Sequence, residues 1–155
     1  MPSSHIASYF HLVFSTKDRH PWIRPEWEPR LHSYLGGIVK GLDAMPLKVG
    51  GIEDHVHLLV SLKSKHRLDY FLRDLKADSS EWVHKEITRL FDWQKGYGAF
   101  SVSPTAVNAV ARYIENQREH HGRVDFKSEY IELLTKSGVD FDEDFFGESR
   151  AVSPR

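Results

Sequence analysis

The chain has 155 residues, 40% of them hydrophobic and 12% aromatic, with a formal net charge of −1. That length and composition suit one globular domain with a real core and exclude a disordered chain. It has no cysteine, which excludes a disulfide scaffold and any thiolate metal or catalytic site.

In chain order, SYFHLVFST (8–16) alternates Phe10, Leu12 and Phe14 against Tyr9, His11 and Val13, the two-residue period of a strand. KDRHPW then breaks it, with Pro21 as punctuation. From Pro25 to about Gly41, Trp27, Leu31, Leu35 and Ile38 recur at helical spacing. Residues 46–51 and 55–62 read as two strands around a tight Glu53-Asp54 turn. Leu68 to Phe91 reads as a helix, which ADSS (77–80) could interrupt. GYGAFSVS (96–103) reads as a fourth strand. Ser103-Pro104 is a helix start, an N-cap followed by proline, and that helix is expected to run to about His121. A short helix near 127–136 and an acidic, Phe-containing tail close the chain.

The order β-α-β-β-α-β-α predicts an α+β, ferredoxin-like βαββαβ fold with an additional C-terminal tyrosine-bearing helix. Four antiparallel strands carry helices on one face, and the other face is expected to be free for a ligand or partner. The domain is expected over 1–136 and the acidic tail over 137–155, with Phe141, Phe145 and Phe146 docking it. Residues 129–148 hold seven acidic side chains against one base, Lys136, leaving 1–128 with a net charge of +3. A weakly basic body permits nucleic-acid binding without requiring it. The start, MPSSHIASYF, lacks the features of a signal peptide, and no apolar run approaches the roughly 18 residues that span a bilayer. The expectation is a soluble, cytoplasmic protein with no membrane partner.

Two residues stand out in EDHVHLLVS. On a strand, His55 and His57 project from one face while Val56, Leu58, Val60 and Leu62 form the other. Two imidazoles roughly 7 Å apart at Cα can converge on one ion, and two histidines on a solvated sheet face are the ordinary alternative. A third ligand could come from ARYIENQREHH. At about 100° per residue, Ala106, Val107, Val110 and Ile114 share one arc, Gln117 falls inside it and Tyr113 lies at its edge. An amide within an apolar stripe is costly unless its oxygen and nitrogen find partners. A metal or a backbone group would serve.

DHVHLLV, the later YIENQ and the order of elements together resemble the single-tyrosine transposases of the insertion sequence 200/605 family, within the His-hydrophobic-His (HUH) nucleases. HLVFSTKDRHPW looks like that family's first strand and loop, GYGAFSVSP like the strand before its tyrosine helix, and YIENQREHH like that helix. The resemblance implies Tyr113 as nucleophile and His55, His57 and Gln117 as metal ligands. It implies metal-dependent cleavage and rejoining of single-stranded DNA through a 5′-phosphotyrosine, a divalent cofactor (Mg²⁺ or Mn²⁺), hairpin-bearing element ends as partner, and a homodimer in which the tyrosine helix can complete the partner's site. Two nitrogens and an amide oxygen suit Mg²⁺ or Mn²⁺ better than a closed zinc site.

Around that core, Asp54 and His121 are candidates for orienting the ligands from behind. Lys17, Arg19, Arg73 and Lys76 are candidates for phosphate contact, with His20, Ser79 and Ser80 nearby, and Tyr97 and Phe100 for base stacking. The sequence names no base for Tyr113. Competing readings are a non-catalytic or domesticated single-stranded nucleic-acid-binding protein and a metal-dependent phosphodiesterase that would not need Tyr113. A histidine-triad hydrolase would require a third alternating histidine where Leu59 stands.

Overall fold

A computed structural model describes residues 3–142. Its order is β1 (Tyr9–Ser15), α1 (Glu28–Gly41), β2 (Met45–Ile52), β3 (His55–Ser61), α2 (Leu68–Glu86), β4 (Gly98–Val102), α3 (Val107–Glu115), α4 (Gln117–His120) and α5 (Phe126–Lys136). The strands form one sheet in the order β2-β3-β1-β4, with every neighbouring pair antiparallel. The expected ferredoxin-like α+β fold is therefore present.

One sheet face is the main core. Leu12, Phe14, Val56, Leu58 and Val60 meet Leu31, Leu35 and Val39 of α1 and Phe71, Leu72, Leu75 and Val83 of α2. On α1 these residues recur every four positions, and on α2 Leu72, Leu75, Ser79 and Val83 do so every three or four, so each helix buries one stripe. Complete burial of each large aliphatic side chain contributes about 1.5–3 kcal/mol. Pro29 sits in the first turn of α1, where its missing N–H costs nothing.

The second face is not free. Val13 and Phe100 pack there against Phe126, Tyr130 and Leu134 of α5. The α3 helix lies close on β2, and a Cβ at Gly50 would stand 2.4 Å from the Ile114 carbonyl oxygen. The expectation of an open face failed because α5 presents an apolar stripe of its own, which must be buried. Phe141, expected to dock the tail, is 41% exposed. The rest of that tail, from residue 143, lies outside the described residues.

Two helices differ from expectation. The α2 helix ends at Glu86 and runs unbroken through ADSS, because Ser79 Oγ donates back to the Leu75 carbonyl at 2.7 Å and leaves the backbone ladder intact. The predicted 104–121 helix begins as a single 3-10 turn at Pro104–Ala106 and breaks at Asn116 (φ −96°, ψ 24°), which divides α3 from α4. The break lies between Tyr113 and Gln117, yet both side chains still reach the same site.

Candidate active site

The β1–β3 register sets up the site. Val13 pairs with His57 and Ser15 with His55, so His11, two residues before Val13, is a diagonal neighbour of His57 on the same face. Both ligand candidates of β3 are completely buried. His55 stacks on Phe126 with ring centroids 4.4 Å apart, and His57 lies 5.7 Å from the Tyr113 ring.

The remaining groups come from the helices above. Gln117 Oε1 lies 2.9 Å from His55 Nε2. Asp54 Oδ1 meets His55 Nδ1 at 2.7 Å. At the centre is Glu129 of α5, 1% exposed. Its Oε1 lies 3.2 Å from His57 Nε2, 3.4 Å from His55 Nε2 and 3.0 Å from His121 Nε2. Its Oε2 accepts from Gln117 Nε2 at 2.9 Å and from the Tyr113 hydroxyl. The fold thus gathers His55, His57, Tyr113, Gln117, Asp54 and His121 around one carboxylate of the same chain.

Electrostatics follow from that burial. Burial opposes charge on His55, but hydrogen bonds to the Asp54 and Glu129 carboxylates outweigh it and raise its pKa to about 9. Burial dominates at His57 and lowers it to about 4. Burial and the neighbouring His57 lower His11 to about 3. At Glu129 burial is overcome by hydrogen bonds from His121, His55 and His57, which hold the carboxyl well below its ordinary range. Burial, and then the Glu129 carboxylate, push the Tyr113 phenol above its usual value.

The donor set suits a divalent ion. Ligand atoms of His55, His57, His121 and Glu129 all lie within 4.8 Å of one another. Adjacent donors around one ion at about 2.1 Å stand roughly 3 Å apart, and opposite donors about 4.2 Å. The observed 2.9–3.4 Å contacts match adjacent positions.

Sequence reasoning missed two residues. In the sequence Glu129 is the first acid of the acidic stretch 129–148, although it shares the apolar stripe of α5 with Phe126, Tyr130 and Leu134. The argument that singled out Gln117, a polar group inside an apolar stripe, applies to it equally. His11 looks in the sequence like one residue of the first strand; its Nε2 lies 2.7 Å from His57 Nδ1.

Of the phosphate-contact candidates, Lys17 and Arg19 follow β1 and Arg73 and Lys76 lie on α2. Arg19 is half-buried, and its charge reaches Asp125, the N-cap of α5. Lys17 is exposed and, with Lys76, Ser80, Gln94 and Lys95, lines a groove of about 380 Å³. Lys76 Nζ donates to the Gln94 and Gly96 carbonyls, both at 2.7 Å, and burial lowers its pKa to about 8. Arg73 pairs with Asp74 at 3.1 Å and lies over the Tyr70 ring. Ser79 is fully buried and accepts from Trp93 Nε1 at 3.0 Å. Phe100 is core, and Tyr97 packs against the main cluster.

Comparison with known proteins decides the family. Residues 4–117 match the family described as "Transposase IS200 like". The chain belongs to the IS200-like transposases. Among curated relatives it is similar to the ISDra2 transposase TnpA of Deinococcus radiodurans, 27% identical over 119 residues that span 71% of this chain and 84% of that protein. Among solved structures it resembles a crystal structure titled as a transposase from Deinococcus radiodurans, with a TM-score of 0.63 and 24% identity, covering 76% of this chain and 95% of that one. It also resembles a REP-associated tyrosine transposase bound to a REP hairpin, with a TM-score of 0.59 and 12% identity, covering 80% and 74%. The IS200-like match ends at Gln117, so α5 and Glu129 lie beyond it. Among the described residues no helix is long and apolar enough to cross a membrane.

Proposed function

We propose that this IS200-like transposase cleaves and rejoins single-stranded DNA, with Tyr113 as nucleophile and a divalent metal, Mg²⁺ or Mn²⁺, held by His55, His57 and Gln117. The observation that carries this reading is the convergence of both histidine Nε2 atoms, Gln117 Oε1 and the Tyr113 hydroxyl on one buried point of a single chain.

Tyr113 Oη attacks the phosphorus of a phosphodiester. The new Tyr–O–P bond replaces the P–O3′ bond and leaves a 5′-phosphotyrosine and a free 3′-OH. The link conserves the bond energy, so a second strand's 3′-OH can reverse the reaction. When bound, the metal supplies positive charge that polarises the phosphate and stabilises the charge developing on its oxygens. His55 is held by Asp54 and His57 by His11, so both present Nε2 to the centre. Tyr113 rests as a neutral phenol, donating to Glu129.

The DNA partner is read as hairpin-bearing element ends; the REP hairpin bound by the related transposase supports that class of ligand. Phosphates would run along the groove of Lys17, Lys76 and Lys95 and past Arg19, with Arg73 as a peripheral contact. We read the protein as a homodimer acting in the cytoplasm, with 1–136 as its catalytic domain and 137–155 as an acidic appendage.

The test is a denaturing-gel assay for a covalent protein–DNA adduct, using single-stranded DNA from the element ends with Mg²⁺ or Mn²⁺. The wild-type chain should form the adduct and Tyr113→Phe should not, while still binding the DNA. Cleavage unaffected by Tyr113→Phe would remove the nucleophile assignment.

A further inference from the structure

We propose that Glu129 is a fourth protein ligand of the metal, so that the centre is a His55, His57, Gln117 and Glu129 site completed in cis by α5, with His121 holding the carboxylate in place. The inference rests on the metal reading above and adds a residue beyond the segment that matches the family.

A carboxylate 1% exposed needs strong compensation, because a lone buried charge is very costly. Glu129 has a place in the fold only if cationic groups or a cation face it. Among the described residues it meets three imidazoles, an amide and a phenol. His120 is the other titratable group near it, its Nε2 3.7 Å from Oε2. Oε1 lies 3.4 Å from His55 Nε2 and 3.2 Å from His57 Nε2, the separations of adjacent donors on one ion. Oε2 faces away, toward Tyr113 and Gln117 Nε2. One oxygen is therefore available to the metal while the other ties the nucleophile to the same carboxylate.

The position is built, not incidental. Asp125 caps α5 by accepting from the Ser128 N–H at 3.0 Å. Phe126 and Tyr130, on either side of Glu129 along the stripe, anchor the helix on the sheet. His121 Nε2 lies 3.0 Å from Oε1, the outer contact that a ligating carboxylate normally receives.

The chemical consequence is specific. Two imidazoles and an amide are all neutral, so a three-donor site relies on DNA phosphates to balance a divalent ion. A fourth, anionic ligand lets the DNA-free protein hold the ion.

The test is Mn²⁺ binding to the full DNA-free chain, read as loss of the free-ion EPR signal. Wild type should bind one ion per chain. Glu129→Gln, nearly the same shape without the charge, should bind at least about tenfold more weakly, with its circular dichroism unchanged. If Glu129→Gln binds as wild type while His55→Ala does not bind, the Glu129 assignment is overturned and the three-ligand site stands. If His55→Ala binds as wild type, the underlying metal reading fails. A second readout needs no variant: in wild-type chain carrying ¹³C-carboxyl glutamate, Mn²⁺ should shift a labelled carboxylate stretch in the infrared difference spectrum. An unshifted spectrum overturns the proposal.

Discussion

His11 Nε2 and His57 Nδ1 lie 2.7 Å apart, both rings buried, one on β1 and the other on β3. For His57 to offer Nε2 to a metal, Nδ1 must carry the proton and donate to His11. His11 thereby fixes the tautomer and the ring plane of its neighbour. His11→Leu should keep the fold and weaken Mn²⁺ binding about 10–100-fold. A titration of the DNA-free chain that matched wild type would remove this role.

Gly50 and Ile114 set how close α3 can come to the sheet. A methyl group at Gly50 would meet the Ile114 carbonyl oxygen at 2.4 Å and its side chain at 2.8 Å. The backbone oxygen cannot rotate away, so Gly50→Ala must push α3 outward. Overpacking of this kind costs about 1–3 kcal/mol. Tyr113 is one residue from Ile114 on α3 and should lose its position, so adduct formation should fall further than the melting temperature suggests. Adduct yield measured well below the melting temperature checks this; wild-type yield would show that α3 tolerates the shift.

Because one chain brings Tyr113 against its own His57, and to the Glu129 carboxylate that also faces His55, complementation should fail. Mixed chains carrying Tyr113→Phe and His55→Ala should form no more adduct than either alone. Recovery of adduct in the mixture, with light-scattering masses showing a dimer, would mean that the tyrosine helix serves the partner.

The metal-free chain should have a bounded pH range of stability. His11 and His57 are lowered to about 3 and about 4 in the fold, so their unfolded counterparts take up protons first as pH falls below 6.5. Stability should therefore drop between pH 6.5 and 4. His55 is raised to about 9; its contribution is complete below 6.5 and is lost as pH rises through 9. Urea midpoints across pH 4–10 should peak near neutrality. Because His55 is protonated there, metal binding should release a proton, visible as a dependence of binding heat on buffer. A flat urea profile, or heats independent of buffer, would contradict this charge arrangement.

The strands, the two long helices and the pair of histidines on one strand face are legible in the sequence alone. Those features are local: two-residue and 3.6-residue periods and cap residues act within a few positions. Gln117 was legible for the same reason, as one amide out of place in an apolar stripe. That α5 closes over the second sheet face and inserts Glu129 among the histidines emerges only when the elements pack. So does the β1–β3 register that brings His11 behind His57. Glu129 stands 72 positions from His57 along the chain, and no local period records their adjacency. A buried carboxylate is tolerated only where the assembled fold supplies its compensating groups. Its meaning therefore arises from packing, whereas in the sequence it is one acid among many.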